Sequence, residues 1–342
     1  MKDEKIKKNL FGKKSYLFNV IIALLFVLAL LIYAKLIPIN KNTPNLPSLQ
    51  DNITLFYEPD MGKEPIISGI KSAQNSIDIE LYTFSDTDIL SELKNAKLRG
   101  VKVRVILEEN PYGGYSANKN TYDKLRYYGI DVKWDNKAYN FTHSKFLVID
   151  NKTGYILTLN LTKSAFTKNR EFGVITTDKK VIEELAKIFE ADWYRKPYNI
   201  GSNSILVVSP ENSRTRIETL LRSAHGEILM YAEEISDPAI ERILKERRAY
   251  GAVVKIIIAD PNSIEDNARV IDDLKRYGID IKYVSNPFIH AKVIVVDEKY
   301  AFIGSENFSS NSLDNNREVG IITDNKEVIK QLVEVFSWDF GK

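Results

Sequence analysis

One polar pattern occurs twice in this chain at a single spacing, and it constrains the fold more than any other feature. His143-Ser144-Lys145 opens the first copy, which runs through a hydrophobic stretch to Asp150, reaches Asn160 and closes at Asn169-Arg170-Glu171. His290-Ala291-Lys292 opens the second, followed by Asp297, Asn307 and Asn316-Arg317-Glu318. The His, Lys, Asp, Asn and Glu each recur 147 positions later, so no insertion separates the copies inside the block. Five polar residues in register mark an internal duplication, and the chain must fold as two like units that each carry half of the pattern.

The rest of the chain repeats around this block. Ile53–Tyr57, Ile77–Phe84, Val101–Leu107, Lys145–Ile149 and Phe172–Thr176 are β-rich apolar runs, and residues 65–74, 87–99, 118–128 and 180–193 between them have helical spacing. Ser85, Asp86 and Asp178 are candidate helix caps, and Gly100 and Gly129 stand where helices should stop. In the second half, Arg222–Ile228 echoes Lys71–Ile77, residues 276–282 echo 127–133, and Trp338 echoes Trp193. The junction falls at Tyr198–Ser204, which places the first unit at 51–198 and the second at 199–342. The expected fold class is α/β: two strand-helix alternating units related by a pseudo-two-fold axis.

Charge is unevenly placed. Lys2, Lys5, Lys7, Lys8, Lys13 and Lys14 against Asp3 and Glu4 give residues 1–15 a charge of +4, so the remainder of a +2 chain carries −2. Such a body lacks the overall basic charge of a nucleic-acid-binding domain. Residues 16–34 hold no formal charge and are nearly all apolar, close to the ~20 residues a membrane-spanning helix needs. The expectation is a basic cytoplasmic tail at 1–15, an uncleaved transmembrane signal anchor at 16–37, and a Pro-containing linker at 38–50. The catalytic part would then lie outside the cytoplasm on a single-pass cell-membrane protein. There is no cysteine, which removes thiolate nucleophiles, thiolate metal sites and disulfides.

The repeated residue types suit phosphate chemistry. Side chains two apart on a strand share a face, so His143 lies with Lys145 and His290 with Lys292. Lys and Asn donate to non-bridging phosphate oxygens, and Lys also neutralises charge. A neutral imidazole can attack, and a protonated one can deliver a proton to a leaving oxygen. One unit has one such His; two units facing each other supply the pair within one monomer. Glutamates beside the rings would fix their tautomer and orientation. Zinc fits poorly, since each His-x-Lys sets a cation beside the would-be ligand. His225 has no lysine partner and reads as a surface histidine. Phe141 and Phe288 read either as cleft lining or as core, and Lys163, Lys168 and Arg170 either as a basic rim or as a solvated loop. Pro111–Tyr115 reads either as a plain flexible loop before a helix or as a loop bordering the substrate.

His-x-Lys-x4-Asp, then Gly-Ser-x-Asn, then Asn-x-Glu, present twice, resembles the signature of the phospholipase D superfamily. The resemblance covers roughly residues 51–342. It implies phospholipase D-like α/β sandwich units, each a mixed β-sheet flanked by helices, and a phosphodiesterase or phosphatidyltransferase that needs no metal or other cofactor and works through a covalent phosphohistidine. It further implies His143 as nucleophile and His290 as general acid and base. Lys145, Lys292, Asn160 and Asn307 would hold the phosphate, with Thr158 and Ser305 beside them. Glu171 and Glu318 would orient the histidines, and Asp150 and Asp297 would be structural. One departure stands out: Leu157-Thr158-Leu159-Asn160 occupies the place of Gly-Ser-x-Asn, whereas Gly304 and Ser305 keep it.

The anchor and the unbasic body point first to hydrolysis or transfer of membrane phospholipids. An anchored nuclease acting on nucleic acid is the alternative. Cardiolipin synthase-type transfer ranks below both, because those relatives usually carry two membrane helices, and an inactive tethered scaffold ranks last.

Overall fold

A computed structural model describes residues 46–112, 116–201 and 204–341. The basic tail and the expected anchor lie outside the described residues. Among the described residues, no helix is long and apolar enough to cross a membrane.

The first unit runs β1 (Ile53–Glu58), α1 (Glu64–Ser72), β2 (Ser76–Leu81), α2 (Thr87–Leu98), β3 (Lys102–Leu107), α3 (Ser116–Tyr127), β4 (Asp131–Trp134), β5 (Lys145–Ile149), β6 (Thr153–Leu157), α4 (Lys163–Thr167), β7 (Asn169–Thr176) and α5 (Lys179–Trp193). The second runs β8 (Leu206–Ser209), α6 (Ser213–Arg222), β9 (Glu227–Ala232), α7 (Pro238–Ala249), β10 (Val253–Ala259), α8 (Asp266–Arg276), β11 (Asp280–Val284), β12 (Phe288–Ile289), β13 (Lys292–Val296), β14 (Tyr300–Gly304), α9 (Ser310–Asp314), β15 (Glu318–Thr323) and α10 (Lys326–Gly341). The sheet orders are β1-β7-β6-β5-β2-β3-β4 and β8-β15-β14-β13-β9-β10-β11, the same sequence of equivalents. In each, three parallel strands joined by helical crossovers continue into antiparallel neighbours, which makes a mixed sheet.

Local chemistry sets the boundaries. The Asp86 carboxylate accepts from the amides of Asp88 and Ile89 at 3.0 and 3.1 Å and starts α2; Asp178 does the same for α5. Gly100 and Gly129 take φ of +91° and +71° just past α2 and α3, where a side chain would be strained. Asp150 accepts three amides, those of Gln74, Asn75 and Ser76, at 2.6 to 2.8 Å. Asp297 accepts from His225, Gly226 and Glu227 at 2.7 to 2.9 Å. Each aspartate thereby pins the entry of the central strand, β2 or β9, to the turn that follows the histidine strand.

One apolar core lies between the two sheets and draws on both. Phe146, Ile156 and Phe172 meet Tyr231, Val293 and Ile303 there, with α5 and α10 adding Leu185, Phe189, Leu332 and Phe336. Separate cores on the outer faces seat α1 to α3 against the first sheet and α6 to α8 against the second. Residues 46–341 accordingly form one compact body.

Two expectations change here. The end of the Pro-containing segment is packed: Leu46 and Leu49 are buried, and the Leu49 amide donates to Ile322 O at 3.0 Å on the second unit. Arg170 belongs to no basic rim. It is buried and bonds Asp339 at 2.7 Å, Asp60 at 2.5 Å and the Glu58 carbonyl at 2.7 Å. Its equivalent Arg317 is fully buried against Asp192 at 2.9 Å and Glu211 at 2.8 Å. An arginine of each unit is thus paired to the long helix of the other, because a buried guanidinium requires charged partners.

Candidate active site

The segments that lead into the two histidines leave their own sheets. Thr142 bridges Arg317, and the His143 amide donates to Arg317 O at 2.8 Å. In the other half, β12 pairs with the start of β7, and the His290 amide donates to Arg170 O at 3.3 Å. Arg317 and Arg170 immediately precede Glu318 and Glu171, so each histidine is delivered to the glutamate of the opposite unit. His143 Nδ1 lies 2.8 Å from Glu318 Oε2, and His290 Nδ1 lies 2.8 Å from Glu171 Oε1. A carboxylate on Nδ1 holds the proton there and turns Nε2 outward.

Both glutamates are fully buried and braced. Thr158 donates to Glu171 at 2.7 Å and Asn169 does so at 3.2 Å. Ser312 and, at 3.0 Å, Asn316 donate to Glu318. Burial alone would raise both carboxyls, but the facing histidine and lysines and these donors hold both below the usual value. Burial pushes His143 down to about 4 despite Glu318, with Lys145 and Lys292 adding to the effect. At neutral pH His143 is therefore an uncharged imidazole. Burial also lowers Lys145 to about 7, which Glu318 opposes and Lys292 reinforces.

The lysines are fully buried below the histidines. Lys145 Nζ donates to His143 O at 2.5 Å and Lys292 Nζ to His290 O at 2.7 Å. Lys292 also meets Glu233 Oε2 at 2.6 Å. His143, His290 and Asn307 line one cleft of ≈ 670 Å³, together with Tyr82, Tyr112 and Phe141 on one side and Glu233, Glu234, Glu265 and Asp266 on another. Asn307 Oδ1 is buried without a partner, whereas Asn160 Oδ1 accepts the Thr83 amide at 3.2 Å.

Several expected roles shift. Thr158 and Ser305, expected beside the phosphate, are fully buried, and each oxygen accepts a backbone amide, from Phe172 at 2.9 Å and Val319 at 3.0 Å. They close the ends of their hairpins. Leu157 is fully buried opposite Gly173, while Gly304 faces Gly320, and a Cβ on Gly304 would lie 2.3 Å from Glu306. The glycine serves the buried Glu306, and Leu157 with Leu159 fills the same room with hydrocarbon. Phe141 lines the cleft, whereas Phe288 packs against the central core. Tyr112 lies in the cleft wall; residues 113–115 of that loop are outside the described residues.

Sequence reasoning missed Glu233, Tyr82 and Ser312. The equivalent position in the first unit is Tyr82, not a carboxylate, so the duplication could not reveal Glu233. A pair of carboxylates, Glu233-Glu234, directly after a buried strand was the available signal.

The family model for the cardiolipin synthase, PLD-like domain matches residues 66–193 and again 217–340. The chain belongs to this phospholipase D family. The major cardiolipin synthase ClsA of Bacillus subtilis is 26% identical over 322 residues, covering 80% of this chain and 66% of the relative, and the cardiolipin synthase of Clostridium perfringens strain SM101 is 25% identical over 356 residues, covering 90% and 74%. The chain thus spans about two thirds of the length of the B. subtilis protein. Among solved structures, phosphatidylserine synthase of Haemophilus influenzae superposes with a TM-score of 0.67 at 14% identity, covering 87% of this chain and 88% of that one. Polyphosphate kinase of Porphyromonas gingivalis does so at 0.65 and 15%, covering 83% and 50%. These two likenesses concern this phospholipase D-type fold alone.

Proposed function

We propose that this protein is a membrane phosphatidyltransferase of the cardiolipin synthase type, which passes a phosphatidyl group from one phospholipid to a lipid-borne hydroxyl through a phosphohistidine. The observation that carries the reading is the pair of crossed His–Glu contacts above two buried lysines in one cleft. It supplies a neutral nucleophile, a proton donor and anion stabilisation from protein groups alone.

In the first step His143 Nε2 bonds phosphorus as the P–O bond to the leaving alcohol breaks, and His290 gives that oxygen its proton. In the second, His290 takes the proton of the entering hydroxyl, whose oxygen bonds phosphorus as the N–P bond breaks. Lys145, Lys292 and Asn307 hold the phosphoryl oxygens throughout.

Transfer takes precedence over the hydrolysis expected first, because the similar curated proteins are cardiolipin synthases. Lipid takes precedence over nucleic acid because carboxylates (Glu233, Glu234, Glu265, Asp266) and aromatic rings (Tyr82, Tyr112, Phe141) line the cleft where a polyanion would need a basic trough. The test is to incubate the full chain in detergent with labelled phosphatidylglycerol, and separately with labelled single-stranded DNA, both in EDTA. Cardiolipin and free glycerol are expected. Phosphatidic acid alone would make the protein a hydrolase, cleaved DNA a nuclease, and loss of turnover in EDTA would remove the metal-free mechanism.

A further inference from the structure

The two half-sites differ at one position. Lys145 stands opposite Leu81 and Lys292 opposite Ala232, so Tyr82 and Glu233 are equivalent, each one residue past its central strand. In the first half the Tyr82 ring meets the His143 ring edge-on, 4.5 Å between centroids, and Lys145 Nζ lies 5.3 Å from the centre of that ring. In the second half Glu233 Oε2 lies 2.6 Å from Lys292 Nζ and 3.5 Å from His290 Nε2. His290 therefore has a carboxylate at each ring nitrogen, Glu171 at Nδ1 and Glu233 at Nε2. Nε2 is the atom that must either attack phosphorus or carry the transferred proton.

We propose that Glu233 is a positioning residue that makes the half-sites unequal, fixing His290 as the side where the alcohol leaves and enters and leaving His143 as the side that bonds phosphorus. The inference rests on the phosphohistidine reading above. A carboxylate beside Nε2 repels the phosphoryl oxygens that an attack from that nitrogen would have to approach. It also offers an acceptor to the hydroxyl of the alcohol next to the nitrogen that exchanges its proton. Tyr82 does the opposite at His143, covering the imidazole with a ring edge and adding no charge. The charged groups facing His290 are Glu171 from β7, Lys292 from β13 and Glu233 after β9. His143 and Lys145 stand across the cleft, within electrostatic reach of Glu233.

The test uses the full chain in detergent with labelled phosphatidylglycerol, single-turnover quenching from pH 5 to 9, and peptide mapping of the labelled histidine in wild type, Glu233→Gln and Glu233→Asp. Wild type should carry the label on His143. Glu233→Gln should keep that site but form the intermediate about 10–100-fold more slowly. Its alkaline limb should move to lower pH, because Glu233 helps hold the proton on Lys145 across the cleft, with Asp restoring part of both effects. Label on His290 in wild type overturns the proposal while leaving the phosphohistidine reading intact. A Glu233→Gln enzyme with an unmoved limb also overturns it, even if its melting temperature and rate fall, since that pattern belongs to a structural residue. Absence of any labelled histidine during wild-type turnover overturns the phosphohistidine reading itself.

Discussion

At the residue scale, an uncharged His143 and a carboxylate-flanked His290 predict different failures on substitution. His143→Asn should form no labelled enzyme. His290→Asn should still label, if slowly, and then fail to release the phosphatidyl group, which acid-quench gels with labelled phospholipid will show. The opposite pattern would exchange the two roles. A second residue-scale prediction concerns Glu58, a buried carboxyl with one oxygen unpartnered, which burial raises to about 8 even though the Gly62 amide donates to it at 2.7 Å. An acid whose folded value is raised stabilises the fold through its protonated form. That contribution is complete below its ordinary value of 4.5 and fades as pH climbs through about 8. Glu58→Gln removes the dependence, so its stability advantage over wild type should grow between pH 5 and pH 8, by about 1–2 kcal/mol in urea titrations. An advantage that shrinks over that range would contradict the protonated assignment.

At the element scale, the aspartate of each repeated block works as a clamp between a strand entry and the hairpin after the histidine strand. Asp150 and Asn151 take φ of +54° and +50°, and Asp297 and Glu298 take +53° and +49°, the left-handed pair that a tight hairpin turn needs. The backbone amides hold Asp150 below its usual value against the cost of burial. Asp150→Ala leaves three amides without an acceptor and should cost about 1–3 kcal/mol by chemical denaturation. Helix and strand positions in the first unit were largely legible, since α1, α2, α3 and α5 fall within two residues of the helical spacing. β4 was not, being four residues long with too few alternations to register. The echo of Trp193 in Trp338 was a coincidence of composition. Lys133 Nζ donates to Trp193 O and Lys282 Nζ to Phe340 O, which makes Phe340 the equivalent position.

At the scale of the whole molecule, the central core and the exchanged arginines bind the units into one body, and neither was visible in the sequence. A buried cross-unit ion pair has no local signature; Arg170 and Arg317 look like any loop arginine until the partner helix is in place. The duplication disclosed the composite site, but only the fold could show which glutamate serves which histidine. Arg317→Ala leaves Asp192 buried without its cation and should cost about 3–5 kcal/mol, with both units melting in a single transition. Two separate transitions in wild type would show that the shared core does not couple them.

The crossed delivery of histidines also accounts for the constant separation of 147. Each block is stretched between two anchor points on the other unit, one where its histidine segment lies against the neighbouring strand and one where its own glutamate receives the neighbour's histidine. Loops outside the block can gain or lose residues without being felt across the cleft. One residue inserted between His143 and Glu171 would misalign His290, more than a hundred positions away in the chain and intact in its own repeat. The two copies therefore cannot drift in length independently, and damage to either is registered in the other.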